Sequence, residues 1–214
     1  MILFELFFIY IFIKTIDIIL RKLTTDIAIW FKLHAVINFI VAYLSYDDVY
    51  SIIKNLSSFN EASRNVYSVL IVFMLHVYHF IEFRSTITHT DLFHHLMVFW
   101  GTYTTTNYPI KAHSLTYFAA NGVPGLVNYM CLTAVKYNII HKITEKYINM
   151  YLNMYIRLPL GIIAGYLVYN LPYPMMQLNG FLICMNVIYF SKLAVMNYCS
   201  HFYRNELLYY KQLL

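Results

Sequence analysis

The chain has 214 residues, of which 60% are hydrophobic and only 12% are charged, and its mean hydropathy is +0.57. A soluble domain typically carries about 25% charged residues, so this composition excludes an ordinary water-soluble globule and predicts an integral membrane protein. The net charge of +5 arises from residues in short loops, without a basic patch interleaved with aromatic residues. A nucleic-acid partner is therefore not expected.

Apolar stretches follow one another from end to end and are separated by short polar turns. Helices are the expected structure, because a helix satisfies its own backbone hydrogen bonds in lipid. The fourth stretch is shorter than the ~20 residues usual for a span, so we predict six or seven spans. With no Gly-, Ser- or Pro-rich linker, residues 1–214 are predicted to form a single all-α integral membrane domain, a polytopic transmembrane helical bundle. The stretches cover roughly residues 2–20, 27–45, 66–83, 93–106, 114–135, 147–170 and 175–198.

Basic residues distinguish the two ends of these spans. They cluster in alternate loops and in the tail. The loops between those carry acidic residues together with Lys54 and Arg64, then Lys111 alone, then no charge. The positive-inside rule then places the N-terminus outside or in the lumen and the C-terminus in the cytosol. The basic residues on the predicted cytosolic side are Arg21, Lys22, Arg84, Lys136, Lys142, Lys146, Arg204 and Lys211.

The third predicted span holds His76, His79 and Glu82 towards its cytosolic end. Residues three apart share a helix face, so the carboxylate is expected to continue the face of the two histidines. A carboxylate beside an imidazole fixes its tautomer, which suits a general base. We assign Glu82 to catalysis and His76 and His79 to substrate binding. In the alternative interpretation, the histidines only form hydrogen bonds between helices.

The segment Asp91-Leu92-Phe93-His94-His95 opens the fourth predicted span. Ionisable residues at a membrane helix are costly to bury and are functional candidates by default. Asp91 can cap the helix, and neighbouring residues of a helix point about 100° apart. One histidine is therefore expected to act on the substrate while the other holds a partner. Asp91, His94 and His95 are the predicted catalytic residues beside Glu82.

Three residues in later spans complete the predicted site. Asn121 begins a break in the fifth span, for which a simple kink is the alternative explanation. Tyr129 follows on the same segment, at the cytosolic side. Arg157 precedes Pro159 inside the sixth span and is either a buried counter-charge or a lipid-phosphate contact. Asn121, Tyr129 and Arg157 are predicted to bind the substrate.

The histidines of the chain do not match the patterns of known histidine-rich metal sites. A membrane di-iron hydroxylase needs more histidine boxes than the chain has, and no HExxH motif supports a zinc site. We therefore expect no metal and no bound cofactor.

Three segments give the chain a resemblance to TLC-domain proteins, the multispanning family of ceramide synthases and their lipid-handling relatives. The segment Trp30–Ala35 is similar to the family's early helix. Asp91–His95 resembles the acidic residue and double histidine before its central helix, and Asn186–Lys192 resembles its last helix. The likeness covers about residues 28–195. It implies a TLC-like helical bundle in an endomembrane such as the endoplasmic reticulum.

The chain also departs from that family. Ceramide synthases carry a His-Asp pair and two further acids on the helix after the double histidine. Here Asn121-Gly122, Gly125 and Tyr129 fall at those positions, so only His94 and His95 are carried over. The resemblance therefore implies a lipid-linked membrane protein more strongly than it implies ceramide synthesis.

A second resemblance is to the fatty acid elongases of the condensing type. Leu75–His79 looks like part of their histidine box, but Phe80 replaces the last histidine. At the double histidine of this chain, Asp91 stands where the box begins with histidine. Asn121 and Tyr129 do fall at compatible spacing.

The TLC likeness implies a protein of lipid metabolism or lipid homeostasis, with a membrane lipid or acyl chain as its partner. As an enzyme it would be an acyltransferase, moving an acyl chain from a thioester such as acyl-CoA, the expected co-substrate, to an amine or hydroxyl. His94 or His95 would be the general base. The alternatives are an elongase-like condensing enzyme and a non-catalytic lipid-binding or structural membrane protein. Oligomerisation is left open by the sequence.

Overall fold

The computed structural model describes residues 2–84 and 89–213, with side chains for these residues except 2, 89–91, 93 and 205–213. Its regular elements are helical, and within the described ranges the β pairing is limited to one isolated bridge between Ala62 and Ile110. A 3₁₀ turn covers Leu56–Asn60 and a π-helical turn covers Asn153–Arg157. The α-helices are α1 (Ile2–Leu23), α2 (Ile29–Lys54), α3 (Tyr67–Glu82), α4 (His89–Asn107), α5 (Lys111–Ala120), α6 (Val123–Lys136), α7 (Lys142–Leu152), α8 (Leu158–Tyr169) and α9 (Pro174–Leu213).

The predicted all-α architecture is confirmed over these residues. Three helical segments are long and apolar enough to cross a membrane, namely Ile29–Lys54, Lys142–Tyr169 and Pro174–Arg204, and Tyr67–Glu82 is a shorter apolar helix. The number of spans stays a prediction.

Some helix boundaries differ from the predicted stretches. The second helix continues past the expected end at residue 45 to Lys54, and the fourth helix has 19 residues. The fifth stretch is divided, as the break at Asn121 predicted, because α5 ends at Ala120 and α6 starts at Val123 with a proline in its first turn. Proline is tolerated there because the first turn has unpaired N–H groups anyway.

Helix α2 is the centre of the bundle and packs against α1, α3, α5 and α6. Two apolar clusters form along it. The first joins α1, α2 and α3 through fully buried side chains, and the second joins the end of α2 to α5, α8 and the start of α9. Members of the first are Ile13, Leu33, Ile37, Val41, Leu75 and Tyr78, and members of the second are Val49, Ile52, Ala112, Leu115, Ala164, Val168 and Met176.

Helices α8 and α9 approach each other closely at glycines. A Cβ atom on Gly180 would contact the backbone nitrogen of Tyr169 and lie 2.5 Å from the carbonyl oxygen of Gly165. Small residues of this kind let helix backbones come together in membranes. This contact fixes α9 against the second half of the segment Lys142–Tyr169.

A polar network closes the end of the bundle near Asp48. Its buried carboxylate accepts hydrogen bonds from Ser63 Oγ at 2.6 Å, Ser114 Oγ at 2.7 Å and the backbone N–H of Arg64 at 3.2 Å. These bonds join α2, the segment before α3 and α5. The acidic side chain within the helix is thus satisfied by hydrogen bonds, which explains how α2 continues beyond the predicted apolar stretch.

The opposite end of α2 is joined to α6 by Lys32. Its ammonium group donates to Thr24 Oγ1 at 2.7 Å and to the Thr25 carbonyl oxygen at 2.5 Å. The Thr25 hydroxyl lies 2.7 Å from the hydroxyl of Tyr137, just beyond α6. Both ends of α2 are therefore anchored by polar contacts.

Candidate functional site

Five histidines from three helices meet near the start of α4. The ring of His76 lies 5.3 Å from His94 and 4.8 Å from His95, and His79 lies 5.1 Å from His95, measured between centroids. His34 of α2 joins them through Trp30, which packs on both His34 and His79. The prediction that histidines from distant parts of the chain converge at one level is confirmed.

The hydrogen bonds of His76 determine its orientation towards His94. His76 Nδ1 lies 2.7 Å from the Val72 carbonyl oxygen, which can only accept, so Nδ1 carries the hydrogen. In the neutral ring Nε2 is then the acceptor, and it lies 3.4 Å from His94 Nε2. For two neutral rings, His94 must therefore be the donor to His76. Val72 and His76 together position the His94 ring.

The two adjacent histidines have different surroundings. His94 lines a cavity and packs edge-on against Phe190 of α9 at 5.5 Å. His95 is 3% exposed and packs against Phe80 at 4.7 Å, beside His76 and His79. One ring thus faces a cavity while the other contacts protein side chains, and the action of either histidine on a substrate stays a prediction.

An aromatic stack continues the cluster to α6. The His34 ring is stacked on Tyr129, with centroids 4.2 Å apart and planes 14° apart. Trp30 packs perpendicular to His34 at 4.0 Å. Stacked and edge-on arrangements are the preferred geometries of such rings. Tyr129 thus links the histidine cluster to the cavity, which it also lines.

The cavity has a volume of about 280 Å³ and lies between α2, α4, α5, α6, the π-helical turn and α9. Its wall is rich in amides, and Arg157 provides a positive charge. Among the described lining residues there is no carboxylate. Its polar lining residues are Asn38, His94, Trp100, Thr105, His113, Thr116, Tyr117, Asn121, Asn128, Tyr129, Arg157, Asn179 and Asn186.

Arg157 is presented to the cavity by the π-helical turn. The turn is closed by the Leu158 N–H, which donates to the Asn153 carbonyl oxygen five residues earlier. Arg157 Nη1 also donates to Asn153 Oδ1 at 3.0 Å, and Asn153 is buried. Isolated π-helical turns are rare and occur frequently at functional sites. The side chain of Arg157 is therefore fixed by its own helix.

Gly125 allows α6 to approach α2 beside the cavity. A Cβ atom at this position would lie 2.6 Å from Asn38 Nδ2. Glycine removes that clash, so the Asn38 amide can reach the cavity wall. The glycine that stands where ceramide synthases carry an acid thus has a packing role here.

The expectation that Glu82 shares the histidine face is wrong. Its carboxylate accepts from Lys14 Nζ at 2.8 Å and from the Tyr10 hydroxyl at 3.3 Å, both on α1. The Lys14 ammonium group thus forms an ion pair with the Glu82 carboxylate, which is partly exposed. Glu82 therefore joins α3 to α1 and does not line the cavity.

The predicted catalytic residue Asp91 has a side chain outside the described residues. Its backbone lies within α4, which in the structure starts at His89. Asp91 is thus inside the helix and not at the N-cap position.

Of the predicted substrate-binding residues, Asn121, Tyr129 and Arg157 line the cavity, whereas His76 and His79 stand behind its wall. Within the described part of the chain, no three His, Cys, Asp or Glu side chains are arranged to hold a metal ion.

Several lining residues were not predicted. Asn38, His113 and Asn179 are each buried and reach the cavity from α2, α5 and α9. A signal is present for Asn38, which follows His34 by four residues on the same helix face, and for Asn179, a polar residue inside the seventh apolar stretch, whereas His113 lies just before the fifth stretch. That signal identifies a buried polar residue but does not say which neighbour it meets.

Comparison with protein-family models, with curated proteins and with solved structures gave no match for this chain. The functional argument therefore rests on the geometry of the cavity, His94 and Arg157.

Proposed function

We propose that this chain is a multispanning protein of lipid metabolism that binds an acyl lipid in the cavity and transfers an acyl chain from a thioester to it. One observation carries the proposal: His94 lies in the wall of a polar cavity inside an apolar bundle, beside Asn121, Tyr129 and Arg157. A concave site with a few convergent polar groups is the usual form of a small-molecule site. Polar groups at membrane depth are expensive to retain without a function.

In this reaction the His94 ring acts as general base. It takes the proton of an amine or hydroxyl while the nitrogen or oxygen attacks the thioester carbonyl carbon. The carbon–sulfur bond then breaks, and the thiolate takes the proton from His94. The Asn121 amide in the same wall is a donor for the carbonyl oxygen as it gains negative charge. His76 holds the His94 ring in place throughout.

The proposal places the chain in the endoplasmic reticulum or another endomembrane, as a TLC-like bundle of six or seven spans. The likeness of Trp30–Ala35, Asp91–His95 and Asn186–Lys192 to that family supports it. So does the convergence of the first two of these segments on the histidine cluster. Phe190, in the third segment, contacts His94.

A second candidate function is non-catalytic lipid binding. It is favoured by the absence of a carboxylate among the described lining residues, together with the pairing of Glu82 with α1. A general base without an acidic partner is less strongly activated. Under this alternative, the cavity binds a lipid but no product forms.

Lipid analysis of expressing cells separates the two candidates. We compare wild type, His94→Gln and the control His141→Gln, which alters an exposed histidine outside the cavity. General base catalysis typically contributes about 10²–10⁴-fold, so His94→Gln should abolish the rise of one acyl-lipid class seen with wild type and His141→Gln. Equal lipid profiles for wild type and His94→Gln, at matched expression, would contradict acyl transfer and leave the binding function.

A further inference from the structure

We infer that the cavity binds the oxyanion of an anionic lipid, a phosphate or a carboxylate, through the guanidinium of Arg157. The inference rests on the proposed function for the presence of a lipid in the cavity. It adds the charge of that lipid and the residue that selects it.

The charge of Arg157 has no counter-ion among the described residues. The ion pairs there use Lys14, Arg21, Lys111 and Lys146, and none involves Arg157. A guanidinium stays protonated in proteins, so its charge cannot be removed by losing a proton. Arg157 also lies near the middle of the membrane-crossing segment Lys142–Tyr169. A cation at that depth requires an anion or water to compensate it.

One nitrogen of the guanidinium is held by Asn153, and the opposite edge has no hydrogen-bond partner among the described residues. Nη1 is used by Asn153 Oδ1 at 3.0 Å. Nε is buried and makes no hydrogen bond to the described residues, and no such bond is found for Nη2. Nε and Nη2 form the edge that binds two oxygens of a carboxylate or phosphate side by side. The contact with Asn153 holds the guanidinium so that this edge is oriented before a ligand arrives.

Other buried polar atoms around the cavity also lack partners within the described part of the chain. They include two nitrogens, Trp100 Nε1 and His113 Nε2, and two amide oxygens, Asn128 Oδ1 and Asn186 Oδ1. Buried polar atoms are nearly always hydrogen-bonded, so a group of orphans indicates a missing polar occupant. The indole nitrogen donates to an oxyanion, whereas the amide oxygens accept from a hydroxyl or amine. Water can satisfy these neutral atoms and solvate Arg157, whereas an anionic lipid would in addition supply the counter-charge that the described residues lack.

Three probes with the same oleoyl chain test the charge requirement. Oleoyl lysophosphatidic acid carries a phosphate, oleate carries a carboxylate, and mono-oleoylglycerol is neutral. We measure their binding to the full-length protein in nonionic detergent, with inorganic phosphate as a probe that has no acyl chain. Wild type should bind at least one anionic lipid about 10-fold or more tightly than the neutral one. The anionic lipid that binds more tightly identifies the oxyanion. Binding of inorganic phosphate alone would show that the oleoyl chain of the lipid is not needed.

Binding at the cavity itself is followed by the fluorescence of Trp100, which lines the cavity. The chain has two tryptophans, so Trp30→Phe leaves Trp100 as the only one. In that background, Arg157→Gln should remove the preference for the anionic lipid, and Arg157→Lys should restore part of it. The matched control Arg204→Gln removes an exposed charge at the far end of α9 and should keep the preference.

Equal affinity of wild type for neutral and anionic lipids would overturn the inference without any variant. A folded Arg157→Gln protein that kept the anion preference would overturn it as well. His94→Gln should still prefer the anionic lipid, because the binding assay does not depend on catalysis. Failure of the acyl-transfer proposal alone would show as equal lipid profiles for wild type and His94→Gln with the anion preference intact, whereas failure of the anion site would show as equal affinity for neutral and anionic lipids.

Discussion

Asp48 shows how a single buried carboxylate organises one end of the bundle. It accepts three hydrogen bonds, from Ser63, Ser114 and the Arg64 backbone, that join three parts of the chain. Without it, two hydroxyl groups and one N–H lose an acceptor in a buried place. The Asp48 side chain is therefore expected to contribute to the stability of this end beside the surrounding apolar contacts.

Replacing Asp48 by alanine should lower the free energy of unfolding by roughly 2–4 kcal/mol, because buried groups left without partners cost about 1–3 kcal/mol each. The neighbouring Asp47 is exposed, so Asp47→Ala is the matched control and should stay within about 0.5 kcal/mol of wild type. Thermal unfolding in detergent measures both variants. Equal stability of the two would show that the Asp48 contacts contribute little.

Glu82 and Asn38 show where prediction of the site from sequence stops. The meeting of the histidines can be predicted because adjacent or closely spaced polar residues in apolar helices indicate a shared polar face, but His76 and His79 lie behind the cavity wall and do not line it. Six residues turn a helix by about 240° relative to the start, so Glu82 points well away from His76 and meets Lys14 instead. Asn38 shares a helix face with His34, four residues earlier, but its neighbour Gly125 comes from a distant helix. Such a contact depends on tertiary packing that no local pattern contains.

At the scale of elements, the apolar stretches predicted the helices well, since burial in lipid requires long hydrogen-bonded segments. The break between α5 and α6 was also visible in the sequence. The π-helical turn was not, because its backbone hydrogen bond depends on the register of the helix and not on residue type. The close contact of α8 and α9 likewise becomes apparent only when both helices are present.

The contact of α8 with α9 predicts unequal effects of two glycine substitutions. In Gly180→Ala the added methyl group meets backbone atoms of Tyr169 and Gly165, which cannot move independently of the helix. In the control, Gly101→Ala, the nearest atom is the Tyr117 hydroxyl at 3.4 Å. Gly180→Ala should destabilise the protein by about 1–3 kcal/mol, and Gly101→Ala by clearly less. Denaturation in detergent compares them, and similar losses would contradict the close backbone packing.

The whole molecule is organised by α2 and its two polar ends. Lys32 and Asp48 are 16 residues apart, which is about 24 Å along a helix, close to the ~30 Å of a bilayer's apolar core. The polar contacts at the two ends therefore fit the two faces of a membrane. The distribution of basic residues predicts that the Lys32 end faces the cytosol.

Cysteine labelling tests this orientation. In a background lacking Cys131, Cys184 and Cys199, single cysteines replace Asn60, in the segment before α3, or Ile139, in the turn after α6, both of which are exposed. A membrane-impermeant reagent should label Ile139→Cys from the cytosolic side and Asn60→Cys only after the lumen is opened. The reverse pattern would invert the orientation, and labelling of both from one side would contradict the span arrangement between them.

The π-helical turn at Asn153–Arg157 determines how this segment would tolerate the deletion of a single residue during evolution. Such a turn amounts to one extra residue in a regular helix, and each residue rotates a helix by about 100° and advances it by about 1.5 Å. The segments on either side, α7 and α8, both pack on α9. Loss of a single codon within the turn would keep nearly every side chain of the segment. Because the wider turn accommodates the extra residue, its loss would restore a regular helix with α7 and α8 in nearly the same phase, and the change would fall on the way Asn153 presents Arg157 to the cavity.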